Sequence, residues 1–274
     1  MSTVACIIAR TNSTRLPRKV LKKINNLSMI EIIIKRIKKC REVDSIYVCT
    51  STEPDDRVLL EIAAAQGIKS YAGSPDAVIE RMLSVAEMAG ADNLVRITGD
   101  NIFTDQAYLD IMISCHRQQQ AEYTRTEYLP IGVTAEVMSS EALARCAAAI
   151  PVEYTQYLML YMFQPERYRC LVLKPEDEHC HPSWSLTVDT PEDWERTEEI
   201  ILQAGTPMAS YAQINRICST GEIPSLIYEA GAQVNFPAGI QLCYQSFRME
   251  MEQRITRAIR EPVSREQYHE AINE

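Results

Sequence analysis

The first glycine of this chain is Gly67, and there are only nine in 274 residues. Any loop in the opening 66 residues is therefore shaped by other residues and held by other contacts. No apolar run is long enough to span a membrane, although 46% hydrophobic residues suffice to fill a sizeable core. A secretion signal is missing as well: the early apolar run VACII meets Arg10 without a small-residue cleavage pattern, so the expected compartment is the cytoplasm. The nine cysteines include no CxxC pair and their total is odd. That argues against a disulfide framework and for small, reduced core residues. His179-Cys180-His181 and Cys115-His116 lack the second cluster that a zinc site requires.

Acidic residues are nearly absent from the first 41 positions, which hold eleven of the 28 Lys and Arg against Glu31 alone, a net +10. The remainder has 17 basic and 36 acidic residues, a net −19. One cationic face on an acidic body suits a small anionic ligand. It disfavours nucleic acid, because the body repels a long polyanion and no aromatics interleave with the basic residues. Lys35, Arg36, Lys38 and Lys39 read as a solvated helix face. Arg10, Arg15, Arg18 and Lys19 lie in a short loop directly after a buried strand, where open α/β sheets take their ligands.

The chain then alternates. LSMIEIIIKRIKKC has capping-box spacing at Ser28 and Glu31 and suits a helix packed on a sheet. Asp44–Cys49 reads as a strand, Arg57–Gln66 as a helix stopped by Gly67, and Ile68–Tyr71 as a third strand. GSPDAVIERMLSVAEMAG predicts a helix with Ser74 as N-cap, Pro75 at its first position and Gly90 at its end. Its start offers contacts to a sugar or base from Gly73, Ser74 and Arg81, with an ordinary capped helix as the alternative. Asn93–Thr98 is the next strand, and Asp100 follows on a Gly turn at its tip. A carboxylate there is a good magnesium ligand, because this hard cation takes one or two carboxylates and completes its shell with phosphate oxygens and water. The alternative is a turn-capping aspartate.

A helix from Asp105 to Arg117 precedes two strands, AEYTRT and VTAEVM, around an LPIG turn, which implies a mixed sheet. A helix over Ser140–Ala149 ends before Pro151, and EYTQYLMLYMF reads as a helix with a core-facing Tyr and Met stripe. Tyr168–Leu173 and Trp184–Val188 are strand-like. Asp189 ends the latter, with Thr190 as cap, Pro191 at the helix start, Asp193 as capping partner and Gly205 as the stop. Asp189 is the second candidate metal ligand, and a pair of carboxylates from two strand ends is a more specific signal than either alone.

The string ARTNSTRLPRKVL, followed in order by YVCTSTEPDD, YAGSPDAVIERM, VRITGDNIFTD, YLPIGVTAEV and LTVDTPEDWE, resembles the successive blocks of the cytidylyltransferases that activate 3-deoxy-2-ulosonic and nonulosonic acid sugars. The string looks like the spore-coat-polysaccharide branch of that family. The resemblance covers the first three-quarters of the chain. It implies an α/β fold with a mostly parallel mixed sheet, of the nucleotidyltransferase or glycosyltransferase-A kind. The nucleotide-binding domain is expected over 1–206; residues 207–274, outside the resemblance, read as a helical C-terminal extension that packs on it or on a second subunit of a homodimer. The substrates would be CTP and a small anionic acceptor, with Mg2+ as cofactor. By motif position Ala9, Arg10, Ser13, Thr14, Arg15 and Lys19 would contact the nucleotide, Arg15 and Lys19 serving catalysis at the phosphates. Gly73, Ser74 and Arg81 would lie at the cytidine end, and Asp100 and Asp189 would hold the metal. No side chain stands out as a general base.

Two departures mark this chain. Where the family loop reads GSTRLPGK, Asn12 and Arg18 replace glycines, and Asn26-Leu27-Ser28 replaces a Gly-x-Pro turn. Asn accepts a left-handed backbone fairly well and Arg poorly. Beyond Met208 the resemblance fades into a tail expected to be mostly helical, with a Pro/Gly break at PAG and with Leu242, Phe247, Met251 and Ile255 at helical spacing. Alternative readings are a cytidylyltransferase with a phosphate or phosphonate acceptor, and a non-catalytic nucleotide-binding scaffold.

Overall fold

A computed structural model of the chain describes residues 1–151, 158–221, 223, 232–235 and 241–273. The first strand, β1 (Thr3–Ile8), is buried on both faces and alternates between two cores: Ala5 and Ile7 join one, Val4 and Cys6 the other. After the basic loop a small hairpin, β2 (Lys23–Ile24) and β3 (Leu27–Ser28), turns through Asn25 and Asn26. Both Asn residues have positive φ (50° and 64°), as a two-residue hairpin loop that follows strand twist requires. Asparagine thus supplies the left-handed backbone of this turn without glycine.

Helix α1 (Met29–Ile37) opens with the expected Ser28–Glu31 capping box and returns the chain to β4 (Ser45–Ser51), parallel to β1. Next come α2 (Arg57–Ala65), β5 (Lys69–Gly73), α3 (Val78–Ala89), β6 (Asn93–Thr98), α4 (Gln106–Gln118), β7 (Tyr123–Thr126), β8 (Glu136–Ser139) and α5 (Ser140–Ala149). Then follow α6 (Leu158–Met162), β9 (Cys170–Lys174), α7 (Pro191–Ala204) and α8 (Tyr211–Cys218). Last are β10 (Gln233–Asn235), β11 (Gln241–Cys243), α9 (Tyr244–Arg257), β12 (Ile259–Pro262) and α10 (Arg265–Asn273). Eight strands form one sheet in the order β12-β9-β7-β8-β6-β1-β4-β5, parallel except for β8, so the expected α/β class with a mostly parallel mixed sheet is the fold observed.

Strand order fixes the site. The chain winds from β1 through β4 to the β5 edge, then crosses back to lay β6 on the other side of β1. The winding reverses at the carboxyl ends of β1 and β6, which is where an open sheet of this kind forms its ligand crevice. The loop after β1 and the Gly99–Asp100 turn after β6 face each other there.

Four expectations change. Arg36 is not on a solvated face: it is 4% exposed, and its guanidinium donates to the carbonyls of Phe103, Thr104, Pro207 and Ala209. Helix α3 starts at Val78 behind Ala77, without a side-chain cap, because Ser74–Asp76 form a separate turn whose Pro75 carbonyl accepts from Arg10 Nη1 at 3.1 Å. Gly90 does close the helix, in the left-handed conformation. Trp184–Val188 is an extended strap rather than a strand. Leu186 N donates to Ile131 O (2.7 Å) and Val188 N to Asp100 O (3.1 Å), so its backbone bonds go to loops at the crevice instead of to a sheet neighbour. The tail contributes a strand as well as helices: β12 pairs in parallel with β9 at the sheet edge, where its Pro262 costs no ladder bond, and Tyr268 of α10 is fully buried in the main core.

All nine cysteines are free, and seven are buried. Residues 153–157 of the aromatic-rich segment and the PAG break lie outside the described residues; Leu158 and Met162 of the same segment are core. Among the described residues no helix is long and apolar enough to cross a membrane.

Candidate active site at the strand tips

The loop after β1 is braced from below. Asp56, 2% exposed, accepts from the Thr11 backbone N and Oγ1, both at 2.7 Å, and from Ser51 Oγ. Burial alone would raise its carboxyl, but the bonds from Ser51 and Thr11 outweigh it and hold the group below the usual carboxylate range. Arg18 sits at φ 54°, the left-handed region that favours glycine, with its N–H on Thr11 O (3.2 Å) and its carbonyl accepting from Leu21 N (2.9 Å). Those contacts offset a strain on the order of 1–2 kcal/mol and turn the chain so that Lys19 faces inward.

Lys19 then reaches three oxygens from three segments. Its Nζ donates to Asp189 Oδ1 (2.8 Å), the Val188 carbonyl (2.9 Å) and Asp100 Oδ2 (3.3 Å). Arg15 Nη2 adds an ion pair to Asp189 Oδ1 at 3.0 Å, although its side chain is 65% exposed against 13% for Lys19. Asp100 comes this close because Gly99 carries no side chain: a Cβ there would lie 3.1 Å from Ala9 Cβ and 3.2 Å from both Ile8 O and Val20 Cγ1. Thr98 Oγ1 donates to the other oxygen of Asp100. Asp189 is fixed by the next helix start, since the capping carboxylate of Asp193 accepts from the backbone N of Asp189 and of Thr190, each at 2.9 Å. Gly132, at φ 104°, lies against the strap; a Cβ there would be 2.5 Å from the Leu186 carbonyl carbon. Only glycine lets the LPIG turn support the strap that carries Val188 to Asp100.

On the β5 side, Gly73 packs so closely on Arg81 that a Cβ would meet Arg81 Cγ at 2.8 Å. Arg81 is 1% exposed, and its Nε and Nη1 have no hydrogen-bond partner among the described residues. Burial, then the Arg10 charge, pushes its basicity down, while Cys49, Asp56 and Asp76 act the other way. Arg10 ties this side to the β1 loop through Pro75. The structure therefore brings together Lys19, Arg15, Asp100 and Asp189, and separately Arg10, Gly73 and Arg81. Ser13 is half-buried and Thr14 exposed on the connecting loop, outside both groups; Ser74 belongs to the turn ahead of α3, and Ala9 packs against Gly99.

Sequence reading missed Asp56 and the Val188 carbonyl. Asp56 carries one signal: an acid in TSTEPDD, a few residues after a strand tip that carries Ser51. The donor set suits a divalent cation. Two carboxylates already converge on one positive nitrogen, and magnesium needs no more than one or two carboxylates once substrate oxygens complete its shell. Among the described residues no group of three or more His, Cys, Asp or Glu supplies a self-sufficient metal cage.

A doubly wound sheet with cations and paired carboxylates converging at its reversal point makes a site suited to a multiply anionic ligand and a divalent cation. Residues 4–163 match the cytidylyltransferase family, and the chain belongs to it. It is 31% identical over 206 residues to spore coat polysaccharide biosynthesis protein SpsF of Bacillus subtilis, spanning 73% of this chain and 86% of that protein. Its fold is similar to a cytidylyltransferase from Leptospira borgpetersenii (TM-score 0.74, 24% identity, 80% of this chain and 94% of that one). It is also similar to a CMP:2-keto-3-deoxy-manno-octonic acid synthetase solved with CTP (TM-score 0.58, 16% identity, 74% and 99%).

Proposed function

We propose that this cytidylyltransferase transfers CMP from CTP to a hydroxyl of a 3-deoxy-2-ulosonic or nonulosonic acid, with release of pyrophosphate, and thereby supplies an activated sugar for a surface polysaccharide. The observation that carries the reading is the convergence of Lys19 on Asp100 and Asp189 at the β1/β6 crevice. The acceptor class is supported by what two similar proteins are called: a spore coat polysaccharide biosynthesis protein and a sugar-acid synthetase.

Asp100 and Asp189 would hold Mg2+, which supplies Lewis-acid neutralisation of the triphosphate. Arg15 and Lys19 bind phosphate oxygens and offset the charge that builds as the acceptor oxygen attacks the α-phosphorus and the pyrophosphate bond breaks. Ala9, Arg10, Ser13 and Thr14 line the nucleotide along the β1 loop. Gly73, Ser74 and Arg81 take its cytidine end, where Nε and Nη1 of Arg81, without a partner among the described residues, can donate to an acceptor. Residues 207–274 act as the packing or dimer-forming extension, the acidic body keeps nucleic acid out, and the cytoplasm provides the CTP.

The test is pyrophosphate release with each nucleoside triphosphate, Mg2+ and a panel of 2-keto sugar acids. CTP-specific release that requires a sugar acid supports the reading. Release with phosphate or phosphonate acceptors alone replaces it with a different acceptor class.

A further inference from the structure

An ammonium group has three N–H donors and no acceptor. Lys19 spends all three: one on Asp189 Oδ1, one on the Val188 carbonyl and one on Asp100 Oδ2. In this arrangement it has no proton left for a phosphate oxygen. The two carboxylates meanwhile direct oxygens at a nitrogen that occupies the position between them. We propose that Lys19 is a place-holder for the metal, so that divalent-cation entry and transfer of Lys19 to the triphosphate are a single exchange. This rests on the assignment of Asp100 and Asp189 as the metal ligands.

The geometry supports an exchange rather than mere proximity. Lys19 is only 13% exposed, so its ion pairs are screened far less by water than the pair made by the 65% exposed Arg15. Its backbone is pinned on both sides: Lys19 N donates to Leu16 O (3.2 Å) and Lys22 N to Lys19 O (3.1 Å), while Val20 beside it is core. Movement is therefore left to the flexible side chain, which has to swing off at least one carboxylate before it can touch a phosphate. A bare cation approaching the same oxygens is repelled by the ammonium between them. A triphosphate removes that obstacle by giving the ammonium new acceptors, and it brings further oxygens for the metal. Metal without nucleotide therefore binds poorly, and the two carboxylates remain paired rather than facing each other as uncompensated charges.

The test is Mn2+ binding to the full chain without nucleotide, followed by electron paramagnetic resonance, for wild type, Lys19→Met and Lys19→Arg. Lys19→Met is expected to bind Mn2+ about tenfold or more tightly than wild type, because the competing charge is gone. Lys19→Arg retains a cation and is expected to bind as weakly as wild type. Lys19→Met should also melt at a lower temperature in chelator and regain stability as Mn2+ is added. Should Lys19→Met not fold in chelator, Lys19→Gln is measured the same way, with the same gain in affinity expected. Equal or weaker Mn2+ affinity in a folded, uncharged variant overturns the proposal. Adding Asp100→Asn to Lys19→Met separates the two layers: loss of the gained affinity supports the exchange at these carboxylates, whereas its persistence places the metal elsewhere and removes the underlying assignment too.

Discussion

The two halves of the crevice differ in how their buried cations are satisfied. At the β1/β6 tips Lys19 is saturated by carboxylate and carbonyl oxygens, held by three segments of chain. At the β5 edge Arg81 is more deeply buried, yet two of its nitrogens bond nothing among the described residues. A buried donor without a partner costs on the order of 1–3 kcal/mol, a cost that a ligand oxygen at Arg81 would remove. In the proposed reading the saturated cation belongs to the chemistry and has to be released, and the unsatisfied one belongs to recognition and has only to be met.

Four substitutions sharpen that contrast. Asp100→Asn has the largest expected effect, because it removes the charge proposed to hold the metal while keeping the shape of the turn. The expected result is a fall in kcat of about a thousandfold with a melting temperature near wild type, read by pyrophosphate release and calorimetry. Gly132→Ala comes next, since a methyl would meet the Leu186 backbone at 2.5 Å and φ 104° is foreign to alanine. A loss of about 2–4 kcal/mol in urea unfolding is expected, with kcat reduced through displacement of the strap that carries Val188.

Asp56→Asn tests the brace common to both halves. It is expected to lower stability by about 1–3 kcal/mol, since a carboxylate accepting three hydrogen bonds is replaced by a group that accepts fewer. The sign with pH follows from its depressed folded pKa. The Asp56 contribution is fully present above the ordinary aspartate range and is lost as pH falls through the lower folded value, so wild type should lose an acid-side increment that the variant lacks. Arg81→Met has the smallest effect, about a tenfold rise in KM for CTP with kcat nearly unchanged, because it alters binding rather than the reacting centre. A fall in kcat with KM unchanged would break the division between the two halves.

Local chemistry made much of this legible in sequence. The Ser28–Glu31 and Thr190–Asp193 boxes are three-residue signals and form as read, and Gly90 and Gly205 end their helices with positive φ. The pairing of Asp100 with Asp189 was legible because each follows an apolar run with turn chemistry at its end. The features that escaped depend on partners far along the chain. The start of α3 moves to Val78 where Arg10 takes the Pro75 carbonyl, 65 residues away. Asp56 reads as a helix-opening acid until the fold brings Thr11 to it. Ile259–Pro262 has no strand signature beyond one β-branched residue, and becomes a strand because the β9 edge is open beside it.

Crystals of the protein with a non-hydrolysable CTP analogue and Mn2+ test the central claim most directly. Anomalous density is expected between the Asp100 and Asp189 carboxylates, with Lys19 Nζ moved from them onto a phosphate oxygen. Manganese bound away from both carboxylates, with Lys19 still joined to each, would contradict it.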